Sequence, residues 1–246
     1  MSIRVVTDSS CDLPEQVVKE LNISVLPLYI HTGSHEYLDG IDLSREQFYR
    51  DLPNYPEHPT TAVPSPQKFK AIYDSLAEEG AQDVISIHIS HSLSGVVDVA
   101  HVAARETTST RVAVLDSHQL SLGTGFLAET AARMASAGAA LHDIMAALQD
   151  QIKRTHTIAS LNTLEFLKRS PHNVTSRAIS CLRGRKPSGV SAKYTQAAIT
   201  KPVPQKISTM LAFLIARLTS HNTVMIPRMT ASAIPYMVIN VMSAPC

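Results

Sequence analysis

Three short polar segments carry residue types that could bind or transform a small molecule. They are TDSS at 7–10, SHSLSG at 90–95 and DSH at 116–118, and each directly follows an apolar run of strand character. The carboxyl ends of neighbouring parallel strands meet at one edge of a sheet, where open α/β proteins bind their ligands. The sequence therefore predicts that hydroxyl, carboxylate and imidazole groups converge there. Thr61, just before a proline-rich helix start, is a fourth candidate.

The 90–95 segment has the most specific chemistry. It places serine hydroxyls and Gly95 at the start of a predicted helix, where unpaired amide groups and the helix dipole favour an anion. A carboxylate or phosphate would accept hydrogen bonds from Ser94 and a nearby backbone amide. The alternative is that these serines only cap the helix.

Alternating strand and helix patterns over the first 165 residues supply the elements that must position these segments. Strands are predicted at 3–7, 23–30, 83–89 and 111–115, with Pro27 interrupting the second. Helices are predicted from the Asp12 cap to about 21, from Ser44, from Ser65 to Gly80, and over 93–105, 121–137 and 141–153. This alternation favours an α/β fold with a parallel sheet flanked by helices.

Charge divides the chain near Glu165. Residues 1–165 hold all 21 acidic residues and eleven basic ones, a net charge of −10, whereas residues 166–246 hold eleven basic residues and no acidic one. We therefore predict an α/β domain at 1–165 and an atypical basic region at 166–246. In the second region prolines recur, and only a helix over 207–218 and a strand over 236–241 are predicted.

Composition argues against several functional classes. The basic residues are scattered with few aromatic residues among them, which does not favour nucleic-acid binding. No run of about eighteen apolar residues occurs, so stable membrane insertion is not expected. The three cysteines lie far apart without C-x-x-C spacing, which argues against a disulfide framework or a zinc cluster. A cytoplasmic protein with free thiols and no cofactor is expected.

Four linked motifs resemble the DegV family of fatty-acid-binding proteins. In chain order they are VVTDSS at 5–10, TAVPSP at 61–66, ISHSLSG at 89–95 and VLDS at 114–117. NTLEFL at 162–167 is similar to a fifth family segment, Thr-Leu-Glu-Tyr-Leu. The resemblance therefore covers residues 1 to about 167.

This resemblance implies a binding protein, not an enzyme, that encloses one long-chain fatty acid and presents it to a separate fatty-acid kinase. It implies that Thr61, Ser94 and the Gly95 amide hold the carboxylate. We expect Asp8 and Asp116 either to orient the two hydroxyls or to cap the next helix. The residues predicted to support the carboxylate contacts are Asp8, Ser9, Ser92 and Asp116.

The sequence departs from the family pattern at several positions. Ala62 and Val63 replace a serine and a glutamine, and Val96 replaces a threonine. After residue 167 the family's Gly-Gly-Arg or Ser-Gly-Arg turn is missing and the resemblance stops. We hypothesise that the coding frame shifts near residue 170 and replaces the second domain. The alternative is a divergent basic domain.

Other interpretations of the polar residues compete with lipid binding. A small-molecule hydrolase would use the 90–95 loop, with Ser94, His91 and Asp116, although no G-x-S-x-G motif is present. GTGFLA at 123–128 fits a loose dinucleotide-binding pattern, but it lies too far from the preceding strand, so glycines for close helix packing are expected.

For the histidine pair at 31 and 35 and for Cys11, a functional interpretation competes with a simple structural one. His31 lies four residues before His35 and near acidic residues, which would suit a metal, but no helix is predicted there and no metal site is expected. Cys11 stands near a helix start, where its thiol pKa could fall. A structural role is the alternative for this cysteine.

Overall fold

The structure is a computed structural model and describes residues 2–161 and 237–243. The strands are β1 (Ile3–Asp8), β2 (Ser24–Leu26), β3 (Tyr29–Thr32), β4 (His35–Leu38), β5 (Thr60–Ala62), β6 (Asp83–His88), β7 (Arg111–Asp116), β8 (Thr155–Leu161) and β9 (Met237–Ser243). The helices are α1 (Glu15–Glu20), α2 (Arg45–Asp51), α3 (Pro66–Glu78), α4 (Val96–Glu106), α5 (Leu122–Ser136) and α6 (Leu141–Arg154). A 3₁₀ turn (Ser9–Cys11) follows β1.

A four-stranded parallel sheet in the order β2-β1-β6-β7 forms the centre of the unit that contains β1 to α6. Thr7 pairs with Ile87, and His88 pairs with Asp116, so the carboxyl ends of β1, β6 and β7 are level with one another. The predicted α/β fold with a parallel sheet is confirmed.

Both faces of this sheet are buried because successive side chains along each strand point to opposite sides. Val5 and Ile85 pack with residues of α5 and α6 in one apolar cluster. Val6 and Val84 pack with residues of α3 and α4 in the other, which we call the α3–α4 cluster. The predicted flanking helices are therefore confirmed.

A second, antiparallel sheet in the order β4-β3-β5 is not predicted by the sequence pattern. The apolar run over 23–30 divides at Pro27 into β2, in the parallel sheet, and β3, in the antiparallel one. Thr61 lies on β5 and pairs with Ile30 of β3. The strands of this sheet are only three or four residues long, too short for an alternating pattern to identify them.

Of the remaining predicted elements, one strand is present in the structure, and the others lie outside the described residues. The strand predicted over 236–241 corresponds to β9, which pairs with β8. The helix predicted over 207–218 and the segment 162–167 lie outside the described residues. Within the part that the structure describes, no helix combines the length and the apolar character needed to cross a membrane.

Two glycines in α5 allow this helix to pack closely on its neighbours, as the sequence predicts. A Cβ atom at Gly125 would overlap the backbone carbonyl oxygen of Cys11, and one at Gly123 would lie 2.6 Å from Thr157 Oγ1. The Cys11 carbonyl belongs to the backbone of the 3₁₀ turn, whereas the atoms nearest to a Cβ at Gly123 belong to the side chains of Thr157 and Gln119. Gly125 therefore sets the distance between α5 and this turn.

We predict that Gly125→Ala lowers the free energy of unfolding by about 1–3 kcal/mol, because the added methyl group overpacks a rigid contact. Gly123→Ala in the same helix should also destabilise the protein but should cost less, since the three atoms nearest to its added Cβ, including Gln119 Cβ at 2.9 Å, belong to side chains and none to the backbone. Urea denaturation of both variants measures the difference. Stabilisation by Gly125→Ala, as helix propensity alone would give, would contradict the packing explanation.

Candidate functional site

The direction in which successive strands are added to the parallel sheet reverses between β1 and β6. From β1 the chain continues into β2 on one side, and the later strands β6 and β7 add on the other side. Open α/β sheets bind ligands outside the carboxyl ends of their strands at such a reversal of strand order. Asp8 ends β1 and His88 ends β6, so both lie at this point.

The carboxylate of Asp8 joins the ends of these two strands. Its Oδ1 accepts hydrogen bonds from the Ser10 amide at 3.0 Å and from the Ser10 hydroxyl. Its Oδ2 accepts from His88 Nδ1 at 3.0 Å and from the Ile89 amide at 3.1 Å. The side chain is 0% exposed. Asp8 therefore caps the 3₁₀ turn and also holds the residue that leads into the 90–95 loop.

Burial alone would raise the pKa of Asp8, because desolvation disfavours the charged carboxylate. Hydrogen bonds from His88, Ser10 and the Ile89 amide outweigh desolvation and hold the pKa below its ordinary value. Asp8 is therefore ionised at neutral pH.

Ser90 organises the loop that carries Ser94. Ser90 is 5% exposed, and its hydroxyl lies 2.9 Å from the Ser92 hydroxyl and accepts from the Ser92 amide at 3.3 Å. Its carbonyl accepts from the amides of Leu93 at 2.9 Å and Ser94 at 3.1 Å. Ser90 belongs to the predicted 90–95 segment, although no separate role is predicted for it; its place directly after a buried strand is the sequence signal for a serine turn.

Asp116 fixes the same loop from the neighbouring strand. Its Oδ1 accepts from the backbone amides of His91 at 3.2 Å and His118 at 2.9 Å. In the part of the chain that the structure describes, neither Asp8 nor Asp116 hydrogen-bonds the hydroxyl of Thr61 or Ser94. Both carboxylates hold loop backbone in place.

Ser94 and Gly95 leave hydrogen-bond donors free at the start of α4. Gly95 is the N-cap residue and therefore provides no side-chain cap. Among the described residues the Ser94 hydroxyl has no hydrogen-bond partner and does not cap the helix. An anion at this position can accept from the Ser94 hydroxyl and from first-turn amides of an eleven-residue helix.

Thr61 is exposed on β5, and its strand is connected to the turn after β1 by way of β3. The Ser9 hydroxyl accepts from the Leu28 amide at 3.1 Å, which anchors the chain just before β3, the strand that pairs with β5. Leu28, Val63 and Ile89 all pack against the α3–α4 cluster. Residues close in sequence to Thr61 and to the 90–95 loop therefore pack against the same apolar cluster.

Asp12 has a different role from the helix cap that its position predicts. It adopts a left-handed backbone with φ 54°, and α1 has no side-chain cap. Its carboxylate instead accepts from the Arg45 guanidinium and from the Ser121 hydroxyl. Arg45 Nη2 also donates to the Ser9 carbonyl at 2.6 Å. The turn after β1 is thus tied to the starts of both α2 and α5.

The contacts of the alternative site residues do not form catalytic or metal-binding arrangements. His91 Nδ1 lies 3.4 Å from Asp98 Oδ2, and no hydrogen bond among the described residues joins His91 to Ser94. Burial raises the pKa of the Cys11 thiol to about 11, so the possibility of a lowered value is wrong. Across residues 2–161 and 237–243, no three His, Cys, Asp or Glu side chains are grouped to hold a metal.

The sequence model of the DegV family, described as a family of uncharacterised proteins, matches residues 2–172 of this chain. A DegV domain-containing protein from Deinococcus radiodurans is 36% identical over 168 residues, which are 68% of this chain and 59% of that protein. The chain thus spans about three-fifths of the length of the curated relatives that it matches.

Two solved structures have the same fold. A fatty-acid-binding DegV-family protein from Thermus thermophilus is 36% identical, with a TM-score of 0.64 over 69% of this chain and 60% of that one. DegV from Bacillus subtilis, a fatty acid binding protein, is 24% identical, with a TM-score of 0.72 over 88% of this chain and 78% of that one. The second likeness concerns the fold alone.

We predict that Asp8→Asn lowers the free energy of unfolding at pH 7 by about 3–5 kcal/mol, because a buried amide NH₂ would face the donors that Asp8 now accepts from. Because the folded-state pKa of Asp8 is lowered, its stabilisation is full above about pH 5 and is lost as the pH falls below about 4. Denaturant titrations at pH 7 and pH 3 should therefore show a smaller loss for the variant than for the wild type.

Ser10→Ala should lower the free energy of unfolding by less than Asp8→Asn does. It removes one donor to Asp8 and should cost about 1 kcal/mol. Wild-type stability and wild-type pH dependence in Asp8→Asn would show that the carboxylate does not hold the turn and the loop together.

Proposed function

This chain belongs to the DegV family, and we propose that it binds a long-chain fatty acid whose carboxylate is held by Thr61, Ser94 and the Gly95 amide. The observation that carries the proposal is the free donor set at the start of α4. It lies in the loop that follows β6, at the reversal of strand order where open α/β sheets bind ligands.

The electrostatics of the loop favour a carboxylate over a neutral group. The positive end of the α4 dipole and its uncapped amides stabilise a negative charge. Asp98 in the first turn opposes this effect, but its carboxylate lies 3.4 Å from His91 Nδ1. The Ser94 hydroxyl adds a donor that makes no hydrogen bond to any described residue. Hydrogen bonds between such donors and a carboxylate are charge-assisted and therefore stronger than neutral ones.

The comparisons support the lipid rather than a small anion as the ligand. The Thermus thermophilus protein, 36% identical to this chain, binds fatty acid. An acyl chain gains about 0.8 kcal/mol for each buried methylene group, so apolar walls supply most of the affinity while the hydroxyls orient the head group.

We further propose that the chain is a carrier and not an enzyme, and that it presents its fatty acid to a separate fatty-acid kinase. A hydrolase using the 90–95 loop would need a general base beside Ser94. His91 is instead paired with Asp98, and the Asp116 carboxylate accepts from backbone amides. Among the described residues, no histidine or carboxylate hydrogen-bonds the Ser94 hydroxyl.

We predict that purified wild-type protein takes up one palmitate molecule, detected by native mass spectrometry. Ser94→Ala and Thr61→Val should each raise the dissociation constant about tenfold or more, because each removes a charge-assisted hydrogen bond. The double variant should lose the adduct. Isothermal titration calorimetry with palmitate gives the dissociation constants.

Ser75→Ala and Thr108→Val are the matched controls, since they remove exposed hydroxyls from α3 and from the turn after α4. Both should bind as the wild type does. A wild-type protein that takes up no fatty acid contradicts the proposed function. Equal affinity in the wild type and the double variant contradicts the assignment of Thr61 and Ser94.

A further inference from the structure

A chain of buried side chains extends from Asp8 into the core. His88 Nδ1 lies 3.0 Å from Asp8 Oδ2, His88 Nε2 lies 2.6 Å from Ser86 Oγ, and Ser86 Oγ lies 2.8 Å from the Tyr73 hydroxyl. All four side chains are fully buried. They connect the end of β1, two positions on one face of β6, and the middle of α3.

The acceptors and donors among these four side chains fix the direction of each hydrogen bond. Ionised Asp8 can only accept, so His88 carries its proton on Nδ1 and donates it to the carboxylate. Nε2 of a neutral imidazole is then an acceptor for the Ser86 hydroxyl, which in turn accepts from Tyr73. Every group is satisfied in this order. With a proton on Nε2 as well, Ser86 would donate to Tyr73, whose own proton would have no acceptor among the described residues.

The arrangement has the connectivity of a Ser–His–Asp triad but cannot act as one. Ser86 is fully buried between the sheet and α3, and its oxygen already accepts from Tyr73. Phe69 packs edge-on against the His88 ring, with 5.5 Å between the ring centroids. These contacts hold the imidazole in one orientation, so its effect on the site passes through Asp8.

We propose that His88 is a positioning residue for the fatty-acid site: it orients the Asp8 carboxylate, which holds the Ile89 amide and thereby the start of the 90–95 loop. The inference rests on the proposed function for the ligand and on the hydrogen-bond geometry for the mechanism. Asp8 Oδ2 accepts from both His88 Nδ1 and the Ile89 amide, while Ser10 holds Oδ1. Loss of the His88 donor therefore leaves the Ile89 amide as the only donor that fixes Oδ2 among the described residues.

Two substitutions of His88 separate positioning from packing. The side-chain amide introduced by His88→Asn lies near the position of Nδ1 and can still donate to Asp8, whereas the longer side chain introduced by His88→Gln places its amide near Nε2. Both variants lose the contact with Phe69 and should lose similar thermal stability. Calorimetry with palmitate should give a dissociation constant within about threefold of wild type for His88→Asn and raised about tenfold or more for His88→Gln.

Hydrogen exchange of the Ile89 amide in the ligand-free proteins is the second readout. Exchange should be about ten times faster in His88→Gln than in the wild type or His88→Asn, because only the glutamine variant leaves Asp8 Oδ2 without its side-chain donor. If wild-type protein takes up no palmitate, the proposed function is wrong, and the exchange rates still test the positioning role. Equal exchange rates in the two variants, whether both are normal or both are fast, overturn it.

Discussion

The ionised carboxylate of Asp8, buried without exposure to water, is the constraint on which the candidate site depends. A buried charge is tolerated only when hydrogen bonds replace its water. The donors come from Ser10 in the turn after β1 and from His88 and Ile89 at the end of β6. Satisfying one charge therefore fixes the turn and the start of the 90–95 loop relative to each other.

The turn after β1 also contacts several neighbouring elements and fixes their positions relative to Asp8. Ser9 anchors the chain before β3, Asp12 binds Arg45 at the start of α2, and Gly125 lets α5 approach the Cys11 carbonyl. The segment before β3, the strand that pairs with β5, and the start of the 90–95 loop are thus hydrogen-bonded to the consecutive residues Ser9 and Asp8. The proposed function requires such a connection, because Thr61 and Ser94 are more than thirty residues apart in sequence.

The sequence predicts those parts of the structure that depend on local patterns. The parallel sheet and its flanking helices follow from apolar periodicity, and the polar segments follow from their places after strands. The links from His88 to Asp8 and from Arg45 to Asp12 join residues far apart in sequence, and no local pattern encodes them. The roles of Thr61, Ser94 and Gly95, the domain boundary at residue 165, the frame change near residue 170 and the cytoplasmic location stay predictions.

A crystal structure of this chain with bound palmitate tests the central claim most directly. We predict that the carboxylate lies within about 2.5–3.2 Å of Ser94 Oγ, the Gly95 amide and Thr61 Oγ1, with the Asp8–Ile89 hydrogen bond intact. A carboxylate bound away from the start of α4, or an acyl chain bound with its head group in solvent, would contradict it.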